Sequence, residues 1–330
     1  MTKVQWGIIG CGDVTEKKSG PGFQKAANSE LVAVMRRDGN KARDYAERHN
    51  VPAWYDDADK LIYDPNVNAV YIATPPGSHE EYVCKIAAAG KPVYVEKPMG
   101  RTYEECKRMI KACDDAGVPL FVAFYRRCLP NFLKVKELVD TDTIGNVRSV
   151  HIQLTQPPRA GDRNPAEHHW HVKPHISGGG YFIDMAVHQL DYLDYVFGPI
   201  VSAKGHAVNQ AGWYPLDDNV VASFVFESGV VGTGSWCFTV YQAAYRDRID
   251  IIGTTGWISF PCFSPGAIIL STEKGTHEFN VTYPEHVQQP LIQTIVDELL
   301  GRGTCPSTGR SGARTSRVVD MIYQDFRITN

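Results

Sequence analysis

Val4-Gln5-Trp6-Gly7-Ile8-Ile9-Gly10-Cys11-Gly12 is the stretch that decides the fold. A mostly apolar run leads straight into two glycines, the pattern of a buried strand that ends where the backbone must turn tightly and let a phosphate group approach its N–H groups. A Gly-x-Gly turn alone is a weak signal, so its surroundings matter. Working outward, strands are expected at 31–35, 69–73, 93–96 and 120–124, with helical stretches at 40–49, from Ser78 onward and over 103–116. Short strands alternating with helical periods make βαβ units and a doubly wound parallel sheet. Ser78 followed by Glu81 reads as a capping box that starts one of those helices.

After Asn131 the pattern changes. One helix over 132–139 is followed by period-two runs at 150–154, 220–226, 230–240, 248–252 and 268–271, with turn signals Glu227-Ser228-Gly229 and Glu273-Lys274-Gly275 between them. That alternation belongs to a largely antiparallel sheet with one face covered. Helices at about 288–300 and about 312–326 close the chain, and the glycine-rich link between them leaves open which domain the last one packs on. The expected fold is α/β. Residues 1–124 form an N-terminal Rossmann doubly wound parallel sheet, and residues 125–330 form a C-terminal α+β domain with a large, mainly antiparallel open sheet.

Bulk properties narrow the function. A chain of 330 residues has room for two well-buried domains, and 22% charged residues with a formal charge of −3 give no electrostatic reason to bind nucleic acid or an anionic membrane. No stretch is apolar for long enough to serve as a signal h-region or a bilayer span, so the expected location is cytoplasmic. The eight cysteines are scattered without a CxxC pair, which reads as reduced packing thiols.

Candidate site residues fall in four places. Gly10, Cys11 and Gly12, with Asp13 and Val14 after them, are placed to hold a pyrophosphate, although Thr15 occupies the third glycine position and Ser19-Gly20-Pro21-Gly22 interrupts the next helix. The second strand ends Val34-Met35-Arg36-Arg37-Asp38, where an NAD site usually puts a carboxylate on the ribose 2′-hydroxyl. A guanidinium there can fork onto a 2′-phosphate, so Arg36 and Arg37 favour NADP; the alternative has Asp38 serving the ribose. Lys97 stands at the carboxyl end of the 93–96 strand, where open α/β sheets bind ligands.

Asp184 and His188 lie four apart in a helical stretch, 181–197, and share a face. A carboxylate there can hold one imidazole tautomer for acid–base work, though a plain surface ion pair has the same spacing. Glu167-His168-His169-Trp170-His171, with His175 beyond, has zinc-binding residue types. Its proline- and glycine-rich surroundings and the lack of a second ligand set favour a loop without metal, in which Trp170 stacks and His171 reads a substrate hydroxyl. Tyr125 and Arg127, just after the last Rossmann strand, are expected to face substrate, while the pair Arg126-Arg127 could equally bridge the domains.

Taken together, Gly10-Cys11-Gly12, Ala73-Thr74-Pro75-Pro76 with His79, Glu96-Lys97-Pro98, Arg127 before Pro130, and Gly178-Gly179-Gly180 with Asp184 and His188 resemble the Gfo/Idh/MocA family of oxidoreductases. The match runs through nearly the whole chain in the right order. The resemblance implies a pyridine nucleotide, hydride transfer on a small-molecule sugar, polyol or related hydroxyl compound, and a homodimer or homotetramer built through the C-terminal sheet. It implies Lys97 and His188 as the acid/base pair and Asp184 as a substrate-contacting carboxylate that orients the histidine. Thr74, Pro75, His79, Glu96 and Lys97 would lie on the cofactor side, with a cis peptide at Lys97-Pro98. The glycine usual between the aspartate and histidine is Ala186 here, which narrows the pocket. The expected function is an NADP-preferring dehydrogenase or reductase acting on CH–OH groups, with NAD possible. A redox-assisted glycosidase using NAD and a non-catalytic nucleotide-binding sensor are the alternatives.

Overall fold

A computed structural model describes residues 2–324. Its first half contains β1 (Val4–Ile9), α1 (Asp13–Lys17), α2 (Gly20–Lys25), β2 (Ser29–Met35), α3 (Gly39–Arg48), β3 (Ala53–Tyr55), α4 (Ala58–Ile62), β4 (Ala69–Ile72), α5 (His79–Ala88), β5 (Val93–Val95), α6 (Tyr103–Ala116) and β6 (Leu120–Val122). The six strands are all parallel in the order β3-β2-β1-β4-β5-β6. The order reverses between β1 and β4, the switch point outside which such sheets bind ligands. Every residue of β4 and β5 is buried, which is why these strands read as unbroken apolar runs.

Helix α6 has the expected span because both ends are marked: the Thr102 side chain accepts from the Glu105 N–H, and Gly117 adopts the left-handed conformation after the last turn. Ser78 does precede α5, but it makes no side-chain cap. Its hydroxyl turns back onto Thr74 Oγ1 at 2.8 Å, so the capping box does not form.

The second half contains α7 (Pro130–Asp140), β7 (Val147–Thr155), α8 (Pro174–Ser177), α9 (Gly180–Phe197), β8 (Ile200–Val208), β9 (Asn219–Phe226), β10 (Val231–Cys237), β11 (Arg246–Gly253), β12 (Gly256–Phe260), β13 (Ile268–Thr272) and β14 (Gly275–Phe279). Eight strands form one sheet in the order β14-β13-β12-β11-β7-β10-β9-β8, antiparallel except for the parallel pair β7–β10. Along β7, Val150, Ile152 and Leu154 are buried while His151 and Gln153 between them are exposed. Helix α9 covers the apolar face: Phe182 meets Trp236 edge-on at 5.2 Å, and Trp236 Nε1 donates to Gln189 Oε1 at 2.7 Å. On the same helix Asp194 accepts a forked Arg314 guanidinium, with one contact at 2.9 Å, so this buried carboxylate is compensated.

The chain closes with α10 (Gln289–Leu299) and α11 (Gly309–Tyr323). Phe326, where the last helix was expected to end, lies outside the described residues. The chain divides into two compact units, one built from the N-terminal segment up to Leu129 together with 283–313, the other from 130–282 together with the described residues 314–324. The returning segment is joined to the first unit by Arg127 Nη1 donating to Pro306 O at 2.9 Å, Ser307 Oγ donating to Val122 O at 2.7 Å, and a bridge between Phe121 and Thr308. Among the described residues no helix is long and apolar enough to cross a membrane.

Candidate active site

The two glycines of the first turn have different tasks. Gly10 has φ +92°, and a Cβ there would lie 2.7 Å from Thr74 Cγ2 and 3.0 Å from Thr74 N, so the ends of β1 and β4 approach each other only because this residue has no side chain. Gly12 has an ordinary extended φ of −136°, and a Cβ on it would meet nothing closer than Gly10 O at 3.8 Å. The protein leaves open the space in front of Gly12, and that space fits a phosphate group approaching the backbone. The close approach expected of a third glycine occurs instead at Gly20, where a Cβ would lie 2.2 Å from Thr15 O. Thr15 itself is buried, and its carbonyl accepts from Tyr45 Oη at 2.9 Å.

Burial pushes the Cys11 thiol up to about 11, which makes it a packing group, and its carbonyl accepts from Arg36 Nη1 at 3.3 Å. Arg36 is thus half-buried and folded toward the glycine turn, while Arg37 is exposed. Asp38 Oδ1 accepts from the N–H groups of Asn40 and Lys41 as the N-cap of α3.

At the ends of β4 and β5 a buried polar network sets the backbone. His79 is fully buried, with Nε2 2.7 Å from Thr74 O and Nδ1 3.1 Å from Met99 O, and burial lowers its pKa. It clamps the turn after β4 to the turn after β5, within which Lys97-Pro98 is cis. Glu96 is buried: Oε1 accepts from Tyr71 Oη and Gln288 Nε2, each at 2.6 Å, and Oε2 accepts from the Lys97 N–H at 3.0 Å. Tyr94 Oη donates to Gln288 Oε1 at 2.8 Å. Gln288 is fully buried and lies 192 positions from Glu96, so no local signal links them. Tyr125 and Arg127 sit on one 3-10 turn, Tyr125–Cys128, and both are buried.

The second unit carries the other candidates. Asp184 and His188 lie one turn apart on α9, which starts at the Gly178-Gly179-Gly180 segment with left-handed φ at Gly178 and Gly180. Asp184 Oδ2 is 3.4 Å from His171 Nε2 and 3.9 Å from Arg159 Nη2. His188 is buried and meets the Phe263 ring edge-on at 5.9 Å. Trp170 lies flat on His171 at 3.8 Å, and His171 Nδ1 is 2.5 Å from His169 Nδ1. Asp162 anchors the loop: Oδ1 accepts from Tyr181 Oη at 2.6 Å, Oδ2 accepts from the Arg159 N–H at 2.7 Å, and its carbonyl lies 3.1 Å from His168 Nε2. Burial and the Asp162 carboxylate raise the Tyr181 pKa. Among the described residues no group of three or more His, Cys, Asp or Glu is arranged to hold a metal ion.

Residues 4–124 match the description "Oxidoreductase family, NAD-binding Rossmann fold", and residues 132–259 match "GFO/IDH/MocA C-terminal domain". The chain is 40% identical to Oxidoreductase P35 of Formosa agariphila over 323 residues, 97% of this chain and 98% of that one. It is 31% identical over 238 residues to trans-1,2-dihydrobenzene-1,2-diol dehydrogenase of Mus musculus, 70% of this chain and 67% of that one. Levoglucosan dehydrogenase in complex with NADH and levoglucosan superposes with a TM-score of 0.87 at 22% identity, covering 98% of this chain and 96% of that one, a likeness of fold. The parallel six-stranded sheet with its glycine cradle, the mostly antiparallel eight-stranded sheet and these matches agree: the chain belongs to the GFO/IDH/MocA family of oxidoreductases with an NAD(P)-binding Rossmann fold.

Proposed function

We propose that the protein is an NADP-preferring dehydrogenase or reductase acting on a CH–OH group of a sugar, cyclic polyol or keto-sugar. One observation carries the reading: an open cradle at Gly12 stands beside a half-buried Arg36 where a ribose carboxylate would otherwise sit. Gly10, Cys11, Gly12, Asp13 and Val14 would hold the pyrophosphate, Arg36 and Arg37 the adenosine ribose and its 2′-phosphate, and Thr74, Pro75 and Lys97 the nicotinamide end. Asp38 Oδ1 already accepts from the first turn of α3, which favours the arginines as the groups suited to that ribose. His79 and Glu96 act as positioning residues, since their polar atoms are bound within the fold.

When bound, the nicotinamide accepts or donates the hydride. Lys97 hydrogen-bonds the reacting oxygen and stabilises its alkoxide character, with Glu96 fixing the Lys97 N–H. His188 takes the hydroxyl proton in oxidation and returns it in reduction, and Asp184 contacts the substrate from the adjacent turn. Trp170, His171, Tyr125 and Arg127 complete the substrate contacts. A ring bearing hydroxyls is favoured by the similarity to a trans-1,2-dihydrobenzene-1,2-diol dehydrogenase and by the likeness of fold to a levoglucosan dehydrogenase.

A homodimer or homotetramer through the eight-stranded sheet is part of the proposal. Register aligns Trp257, Ile252, Ser149, Val231 and Val225 in one row across five strands, and its four apolar members are all more than a third exposed.

The test is nicotinamide absorbance with a panel of inositols, aldoses, keto-sugars and diols, using NADP and NAD in both redox states. Turnover with NADP(H) is expected, and His188→Ala should lower kcat by roughly 10²–10⁴-fold. Arg36→Ala should cut kcat/KM for NADP by roughly 10–100-fold with little change for NAD, the scale of a charge-assisted contact. Equal use of both nucleotides by the wild type overturns the NADP preference. Glycoside cleavage without net redox turnover replaces the dehydrogenase with a redox-assisted glycosidase.

A further inference from the structure

We propose that Arg159 is a receptor for an oxyanionic substituent, so that the substrate is an acidic sugar or polyol, a carboxylate-bearing ring in the first instance. The proposal rests on the dehydrogenase reading for the reacting centre and adds the substrate class.

Arg159 is held in place with no hydrogen bond to its guanidinium among the described residues. Its Cζ lies 4.2 Å from the centroid of the Tyr181 ring. Asp162 ties both partners down, accepting from Tyr181 Oη through Oδ1 and from the Arg159 backbone N–H through Oδ2. Backbone, ring and guanidinium therefore form one closed set, and little side-chain freedom remains to be lost on binding. Among the described residues no acceptor lies within hydrogen-bonding distance of the guanidinium, since the nearest carboxylate oxygen, Asp184 Oδ2, is 3.9 Å away. The side chain is 40% exposed, which leaves it accessible to a ligand. A guanidinium laid on an aromatic face with its edge unfilled matches the forked geometry of a carboxylate.

Position and charge agree with that role. Arg159 stands beside Asp184, one helical turn from His188. An incoming anion would not face a bare carboxylate there, because Asp184 is flanked by His171 at 3.4 Å as well as by Arg159. The segment 157–178 carries Arg159, Arg163 and Lys173 against Asp162 and Glu167, and Asp162 is already bound within the loop. Arg163 lies over the Trp213 ring at 4.5 Å, adding a second cation on the same loop.

The experiment compares D-glucuronate, D-galacturonate and D-mannuronate with D-glucose, D-galactose and D-mannose, alongside glucose 6-sulfate and glucose 6-phosphate. It uses the wild type, Arg159→Gln and Arg159→Lys, each tested first for intact NADP binding. Turnover is read as kcat and KM, and binding to the NADP-loaded protein by calorimetry. At least one acid should exceed its neutral parent by roughly 10–150-fold in kcat/KM through KM, the scale of hydrogen bonds to a charged group. Arg159→Gln should reduce that ratio to within about threefold, and Arg159→Lys should keep part of it because it retains charge without the fork. Preference for the sulfate or phosphate ester over every uronate would keep the anion receptor and reassign its ligand.

Neutral sugars turned over as well as the acids would sink the receptor and leave the dehydrogenase standing. Arg159-dependent binding of an acid with no redox turnover of any sugar would do the reverse. Equal losses for acid and neutral substrates in Arg159→Gln, or no preference for acids in either readout, overturn the proposal.

Discussion

Replacing Gly10 and Gly12 by alanine in separate proteins should give opposite results. At Gly10 the φ of +92° lies where an L-residue is strained by about 1–2 kcal/mol. The added methyl would also stand 2.7 Å from Thr74 Cγ2 and 3.0 Å from a backbone nitrogen that cannot easily withdraw, an overpacking cost of about 1–3 kcal/mol. Together these amount to roughly 2–5 kcal/mol, or a fall of roughly 4–20 °C in the unfolding temperature of a unit of this size. At Gly12 the backbone is ordinary and the nearest atom is 3.8 Å away, so the folded chain accepts the methyl. The unfolded chain loses freedom, which stabilises the variant by about 0.4–1 kcal/mol. The methyl nevertheless occupies the approach to the cradle, and NADPH binding should weaken by at least about tenfold, the loss of one good contact.

Thermal unfolding without nucleotide followed by NADPH fluorescence titration separates the two effects. If Gly12→Ala unfolds as early as Gly10→Ala, the second glycine serves the fold. If Gly12→Ala binds NADPH like the wild type, the open space belongs to something other than the phosphate.

Gln288→Leu removes a donor from the Glu96 carboxylate and the acceptor of Tyr94 Oη, so urea unfolding should show a loss of roughly 2–6 kcal/mol with a lowered kcat. A loss below about 1 kcal/mol would mean that the network contributes little. Glu16 pairs with Arg48 through a forked contact at 2.8 and 2.9 Å, and with His49, so its carboxyl is held down at about 2 from an ordinary 4.5. The stability from this depressed group is present above pH 4.5 and lost as pH falls toward 2. Glu16→Gln should therefore be less stable at pH 7 by up to about 1 kcal/mol, given partial exposure, and match the wild type near pH 2; a gap that stays constant across that range contradicts it. Burial holds the thiols of Cys113 and Cys128 at about 12 and of Cys11 and Cys305 at about 11, so a thiol reagent at pH 8 should label half-buried Cys237 first. Labelling of Cys11 ahead of Cys237 would count against that burial.

The parallel half of the fold was legible because its strands are buried on both faces and separated by helical periods with marked ends, as at Thr102 and Gly117. Several elements of other kinds escaped, the strands β8 and β12 among them. β3 and α4 are too short to show a period, and β14 is an edge strand whose residues are nearly all exposed. Ser78 had the right neighbour for a capping box, yet a competing hydroxyl at Thr74 took its hydrogen bond. The parallel pair β7–β10 follows from strand order in the sheet, which local alternation does not encode. Within the site, sequence could name both glycines of the first turn but not their different tasks, since the difference lies in what a Cβ would touch. Gln288 and Arg159 carry no motif at all, one joined to Glu96 across most of the chain and the other distinguished by contacts it lacks.

The return of residues 283–313 to the first unit bears on how the chain is made. A nascent chain that has emerged as far as Leu129 holds all six parallel strands, yet it lacks Gln288 for Tyr94 and Glu96, Ser307 for Val122, and the Thr308 bridge to Phe121. Leu291, Ile292, Ile295 and Val296, all fully buried, are translated only after the whole of 130–282. The sheet therefore forms early with part of its apolar covering still unsynthesised, a state open to aggregation and to chaperone capture until the ribosome has passed residue 313. Ending the protein at Thr282 would make that state permanent, so an autonomous nucleotide-binding fragment has to join the segment up to Leu129 to residues 283–313.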